Sequence, residues 1–238
     1  DLVPRDVRVL MTYGGGSITR NGVYDEIKAA LRGRTLREFG GIEPNPRYET
    51  LMRAVALARR ERVKFLLAVG GGSVLDGTKF IAAAIPFKGR DPWAILASDA
   101  EVAAAVPLGC VITLPATGSE MNGFAVISRD STQEKLAFAS PLVYPRFSVL
   151  DPVTTFTLPK RQVTNGIVDA FAHVMEQYAT YDTDSPLQDR QAEALLVTLM
   201  EEGPRTLRRP QDYEARANLV WCATQALNGL IACGVPQD

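Results

Sequence analysis

Asp169 and His173 stand four residues apart in "NGIVDAFAHVMEQY" (165–178), and His173 is the only histidine in the 238-residue chain. Residues i and i+4 share one face of a helix. A carboxylate and an imidazole at this spacing can therefore present two ligands to Zn²⁺ or Fe²⁺. The same spacing also describes an ordinary helical ion pair or hydrogen bond, worth about 0.2–0.5 kcal/mol, and spacing alone favours that reading. Glu176, three residues on, is open as a further ligand, as a hydrogen-bond acceptor behind the histidine, or as a solvated side chain. With one histidine no Ser–His–Asp or Cys–His arrangement can be drawn, so nucleophilic hydrolysis fits poorly.

Three loops offer chemistry of another kind. In "AVGGGSVLDGTKF" (68–80) an apolar run ends in three glycines and a helix is expected from Ser73 or Val74. Backbone N–H groups at a helix N-terminus bind phosphate, aided by the helix dipole. The loop is neither G-x-G-x-x-G nor a P-loop, since Lys79 is misplaced for the latter, and a tight structural turn is the competing reading. Asp76, one turn into the helix, would complement the dipole and meet a ligand hydroxyl. In "TYGGGSITRNG" (12–22) the strand runs into Gly14, Gly15, Gly16 and Ser17. Dinucleotide folds commonly place an acid near a strand end to take ribose hydroxyls. N–H groups and a hydroxyl in its stead favour a phosphorylated ribose, and a ligand-free glycine turn fits the residues equally. In "ITLPATGSEMN" (112–122) Thr113, Thr117, Ser119, Glu120 and Asn122 could line a polar groove, although caps and turn hydrogen bonds explain the same residues.

The elements that must position these loops alternate. "VRVLMTY" (7–13), "TLREF" (35–39), "KFLLAV" (64–69) and "GCVITLP" (109–115) read as strands. Residues 22–33, 47–63 and 74–85 read as helices. Continuous apolar strands alternating with helices imply a mostly parallel sheet covered on both faces. "STQEKLAFA" (131–139) is hairpin-like. After the Pro-bounded connector "DPVTTFTLP" (151–159) only helical patterns follow, at about 160–180, 186–203 and 211–232. The expected class is α/β: a Rossmann-like sheet domain over 1–156, then part of an all-helical domain over 157–238.

Composition narrows the function classes. The chain is 46% hydrophobic and 22% charged, with a net charge of −1. That balance gives no electrostatic reason to expect nucleic acid or an anionic membrane as partner. Cys110, Cys222 and Cys233 are odd in number and contain no C-x-x-C, which suits a reducing compartment. No signal peptide is visible. The uncharged stretch 217–237 is interrupted by Asn, Gln, Gly and Pro, so a buried helix is expected there and not a membrane span. A cytoplasmic protein is expected.

Taken in order, "YGGGS", "FGGIEPNP", "AVGGGSVLDGTKF", "TLPATGSEMN" and "VLDPVTTFTLPKRQVTNGIVDAFAHVMEQY" resemble the iron-containing (group III) alcohol dehydrogenase family. Among its members the chain most resembles the NADPH-dependent aldehyde reductases, or butanol dehydrogenases. "RANLVWCATQALNGLIACGVPQD" (216–238) is similar to the family's helical domain. The resemblance implies a nucleotide-binding domain, a helical domain, and a cleft between them for cofactor and metal. Carried over by motif, Gly71, Gly72 and Ser73 would hold the pyrophosphate of NADP(H), with Asp76 nearby. Gly15 and Ser17 would lie at the adenosine 2′-phosphate. Asn45, Thr113, Thr117, Ser119, Asn122 and Lys135 would line the remainder of the groove. Asp169 and His173 would be the first two ligands of Fe²⁺ or Zn²⁺. Family members extend beyond both ends of the aligned region, and two later histidines complete their metal site. The chain, ending in "GVPQD", is therefore expected to be truncated at both ends and to donate two ligands.

The reading is a metal-dependent oxidoreductase that interconverts aldehydes and primary alcohols with NADP(H), acting on a small substrate, without nucleic acid or membrane partner, as a homodimer. Its rivals are a related glycerol dehydrogenase or dehydroquinate synthase-like enzyme, and a non-catalytic nucleotide-binding fragment.

Overall fold

The computed structural model describes residues 2–181 and 183–233; the final "GVPQD" segment lies outside the described residues. The chain divides into two compact units. One comprises Asp1–Val111 and Gly123–Val149, the other Ile112–Asn122 and Leu150–Asp238.

The first unit is built on a five-stranded sheet: β1 (Arg8–Tyr13), β2 (Thr35–Phe39), β3 (Phe65–Gly71), β4 (Leu108–Leu114) and β7 (Ser148–Val149), in the order β2-β1-β3-β4-β7. The pairings of β1 with β2, β1 with β3 and β4 with β7 are parallel. Parallel strands need crossovers, and the helices supply them. These are α1 (Val23–Ala30), α2 (Tyr48–Arg60), α3 (Gly72–Ala84) and a single turn, α4 (Ala94–Ala97). β3 is buried from Phe65 to Gly70, as its unbroken apolar run requires. α2 buries Thr50, Leu51, Ala54, Val55 and Ala58, a 3.6-residue stripe. α3 is buried along nearly its full length, Lys79 included. Gly77 permits its close packing, since a Cβ there would stand 2.8 Å from Leu51 Cδ2.

The "STQEKLAFA" stretch is the second half of a two-stranded antiparallel hairpin, β5 (Phe124–Arg129) with β6 (Glu134–Ala139). Two charged groups on α3, the buried Lys79 and the half-buried Asp76, fasten it. Lys79 Nζ donates to the Phe124 carbonyl at 2.8 Å, and Asp76 Oδ2 accepts from the Val126 N–H at 3.1 Å.

The second unit packs α5 (Lys160–Tyr178), α6 (Pro186–Arg208) and α7 (Tyr213–Ala226) together. The core comes from Val163, Ala170 and Val174 of α5, Ala192, Leu196 and Leu199 of α6, and Leu219, Cys222, Ala223 and Ala226 of α7. α6 does not stop at Pro204, contrary to the expected end at 203. Thr206 is fully buried and Leu207 packs on the core, so the packing of the last turn outweighs the hydrogen bond that proline removes. α7 stops at Ala226 and not near 232; the following turn includes Gly229, in the left-handed region at φ 86. Among the described residues no helix is long and apolar enough to cross a membrane, and all three cysteines are free.

Candidate functional site

β1 and β3 are neighbouring parallel strands, so the glycine turns that follow them emerge at the same edge of the sheet. That carboxyl edge is where open α/β sheets take ligands. The two turns touch: a Cβ on Gly14 would lie 3.5 Å from Val74 Cγ2 and 3.3 Å from the Ile42 carbonyl. A side chain at 14 would be tight only against the Ile42 carbonyl, whereas Gly16 is favoured by its left-handed backbone at φ 89. Gly15 is exposed and a Cβ there would meet nothing within 4 Å. The chain itself gives no reason for glycine at 15; close approach of a ligand backbone-first would. Ser17, also exposed, opens a 3₁₀ turn running to Thr19.

α3 starts at Gly72, one to two residues earlier than the sequence suggests, because Gly71 serves as its N-cap. A glycine cap supplies no side-chain acceptor, and the first turn of α3 holds no acidic residue. The first-turn N–H groups therefore face the mouth of the turn without a side-chain cap, the arrangement that binds phosphate. Gly72 is buried while Gly71 and Ser73 are half-buried. The early start makes Asp76 the fifth helical residue, beyond the first turn, and its carboxylate accepts from the hairpin.

The "GGIEPNP" stretch completes this edge. Its Gly41 and Ile42 amides donate to the Gly14 and Tyr13 carbonyls at 3.0 and 3.2 Å. Asn45, between two prolines, adopts the left-handed region at φ 54, and its Oδ1 accepts from Lys135 Nζ at 2.9 Å. Asparagine tolerates this region as few other residues do, which suits a turn between two prolines. Glu43, not singled out from sequence, takes the Thr50 hydroxyl on Oε1 at 2.6 Å while its buried Oε2 has no hydrogen-bond partner. Its one sequence signal is a carboxylate inside an otherwise proline-bounded turn.

The other candidates belong to the second unit. In the 112–122 loop Thr113, Ser119 and Asn122 are buried. Asn122 Nδ2 donates to the Gly118 and Leu227 carbonyls at 3.0 and 3.1 Å, and the Thr117 hydroxyl accepts from the Ser119 N–H at 3.4 Å. The buried Glu120 takes the Thr224 hydroxyl at 2.5 Å. These bonds fasten the loop to α7. On α5, Asp169 and His173 do share a face: Asp169 Oδ2 lies 3.6 Å from His173 Nε2. Glu176 Oε2 lies 3.9 Å from Nδ1 and is largely exposed. The Asp169 carboxylate, opposed by burial and helped by Glu176, raises the imidazole pKa above its ordinary value. A carboxylate and an imidazole converging from one helix suit two positions of an Fe²⁺ or Zn²⁺ site, which takes at least three protein ligands when catalytic. Among the described residues no group of three or more His, Cys, Asp and Glu side chains surrounds such an ion.

Residues 2–152 match the sequence model of iron-containing alcohol dehydrogenases, and residues 163–235 match that of the family's C-terminal region. The chain belongs to the iron-containing alcohol dehydrogenase family. Within it the chain is 61% identical to the NADPH-dependent aldehyde reductase YqhD of Escherichia coli, over 99% of this chain and 62% of that protein. It is 45% identical to the probable NADH-dependent butanol dehydrogenase 1 of Bacillus subtilis, over the whole chain and 62% of the relative. The fold superposes on the substrate- and cofactor-free form of the E. coli reductase with a TM-score of 0.92 at 58% identity, covering 99% of this chain and 61% of that one. NADH-dependent butanol dehydrogenase A of Thermotoga maritima gives a TM-score of 0.92 at 43% identity, covering 96% and 57%. The chain thus spans about 62% of the length of these curated relatives.

Proposed function

We propose that this iron-containing alcohol dehydrogenase chain serves the reversible, NADP(H)-dependent reduction of small aldehydes to primary alcohols. The reading is carried by one observation: a strand ends in a glycine cap, and the buried helix that follows presents N–H groups without a side-chain cap. In this reading residues 1–156 hold the dinucleotide. Gly71, Gly72 and Ser73 cradle its pyrophosphate, and Gly15 and Ser17 receive the phosphorylated ribose. Asn45 and Lys135 close the groove, with Asp76 holding the hairpin beside it; for Thr113, Thr117, Ser119 and Asn122 a part in dinucleotide binding rests on the family motif alone. Residues 157–238 supply Asp169 and His173 to a divalent metal, Fe²⁺ or Zn²⁺. Such an ion, when bound, polarises a carbonyl and stabilises alkoxide charge. Glu176, 3.9 Å from His173 Nδ1, stands on the ring nitrogen that faces away from Asp169 and would help orient the imidazole. The protein acts in the cytoplasm as a homodimer. NADPH is preferred over NADH because the turn after β1 offers amides and a hydroxyl where a carboxylate would repel the 2′-phosphate.

A chimaera tests this: residues 1–238 replace the matching stretch of the E. coli aldehyde reductase. It is expected to consume NADPH with short aldehydes when Fe²⁺ or Zn²⁺ is supplied. It should convert neither glycerol with NAD⁺ nor a dehydroquinate-type precursor. Turnover of either of those, with aldehydes inert, would replace the proposed function by that of a sister enzyme.

A further inference from the structure

Arg129 closes the β5 strand and is gripped on three sides. Its guanidinium carbon lies 4.9 Å from the ring centre of Tyr48 and 5.3 Å from that of Trp93. Its Nη2 reaches Asp91 Oδ2 at 3.2 Å, and its Nε donates to the Ser131 hydroxyl at 3.1 Å. Asp91 also takes the Tyr48 hydroxyl and, at 3.0 Å, the Trp93 N–H. Burial would raise the Asp91 pKa, but these donors outweigh it and hold the carboxyl below its ordinary range. Trp93 is buried and the two rings meet edge to face, 5.3 Å apart. Arg129 is 22% exposed and Asp91 45%, so the ion pair is partly screened and the stack of the guanidinium on Tyr48 and the buried Trp93 is the better-shielded part of the clamp.

The clamp lies one rung from a candidate cofactor residue. Arg129 pairs with Glu134 in the hairpin, and the next rung pairs Ser128 with Lys135. On its other side Ser128 donates its N–H to the Pro46 carbonyl at 2.9 Å. Lys135, on β6, therefore reaches across β5, the strand whose end Arg129 holds, to Asn45. The turn beyond is held by the half-exposed Arg47–Asp130 pair and by Glu49, which accepts from the Asp130 and Ser131 N–H groups at 3.3 Å.

We propose that Arg129, clamped by Tyr48, Trp93 and Asp91, is a positioning residue that sets the register of the β5–β6 hairpin and so places Lys135 against the bound dinucleotide. The inference rests on the NADP(H) reading above. It is tested by NADPH titration of the 238-residue chain in a Trp221→Phe background, where emission reports Trp93 alone. Arg129→Met should change the Trp93 emission and raise the NADPH Kd about tenfold, within the range of coupled neighbours. Lys135→Met should raise it comparably, and the double variant no further than Lys135→Met alone. Arg129→Lys, which keeps the cation but loses the planar stack, should fall between and serves if the Met variant fails to fold. Multiplying effects in the double variant would overturn the inference, as would an unchanged Kd with altered Trp93 emission. Failure of the unsubstituted chain to bind NADPH would overturn the functional reading itself, and this inference with it.

Discussion

Gly166→Ala is expected to destabilise the helical unit by about 3 kcal/mol, at the upper end of the range for inserted core atoms. A Cβ at 166 would stand 2.4 Å from the Pro115 carbonyl oxygen. That oxygen belongs to backbone and cannot rotate away. The helix must move off the 112–122 loop, against bonds such as that of Glu120 to Thr224. Thermal unfolding followed by circular dichroism should show a midpoint lowered by about 6–12 °C. Gly203→Ala is the matched control. Its new Cβ would approach Ile167 Cγ2 at 3.1 Å, a side-chain atom that can yield, and alanine gains about 1 kcal/mol of helix propensity. Near-neutral behaviour at 203 with a large loss at 166 is the expected contrast; equal effects would mean that α5 does not press on the loop as described. Gly166 precedes Asp169 by one turn, so the displacement at 166 also disturbs the metal-facing pair.

His173→Ala is expected to abolish retention of Fe²⁺ or Zn²⁺ by the chain while leaving NADPH affinity unchanged. It removes one of two converging donors. The loss of metal affinity should exceed the ~10–100-fold that follows from deleting an outer hydrogen-bond partner of a ligand. Equilibrium dialysis with metal analysis gives the readout without any assay of turnover. Asp169→Asn should fall in the same class, because the amide gives up the anionic oxygen now 3.6 Å from His173 Nε2. Metal held equally by the alanine variant and the parent chain would show that the pair is the ordinary helical contact that its spacing alone suggested.

How far the sequence carries depends on whether the deciding contact is local. The β3 turn into α3 was legible because a buried parallel strand is an unbroken apolar run and three glycines end it. The shared face of Asp169 and His173 was legible because helical period is local. The cap position was misjudged by one or two residues, since glycine can serve either as turn or as first helical residue. The partners of Asp76 and Asn122 are not legible: the amide that Asp76 accepts from and the carbonyl that Asn122 donates to lie 50 and 105 residues away. The same polar letters read as groove lining or as loop fastening until those partners are known. β7 is two residues long, too short for any alternation to register. α6 ran through Pro204 because tertiary packing of its last turn overrides a local stop signal. Arg129 carries no motif at all; its meaning comes from Tyr48, Asp91 and Trp93 meeting around it.

The central claim is that the glycine turns after β1 and β3 form an NADP(H) site. Titrating NADPH into the 238-residue chain, followed by nicotinamide fluorescence with a circular dichroism control for folding, tests it most directly. Saturable binding of one NADPH per chain, tighter than that of NADH, is expected. A folded chain that leaves NADPH fluorescence unaltered, or that binds NADH more tightly, would contradict it.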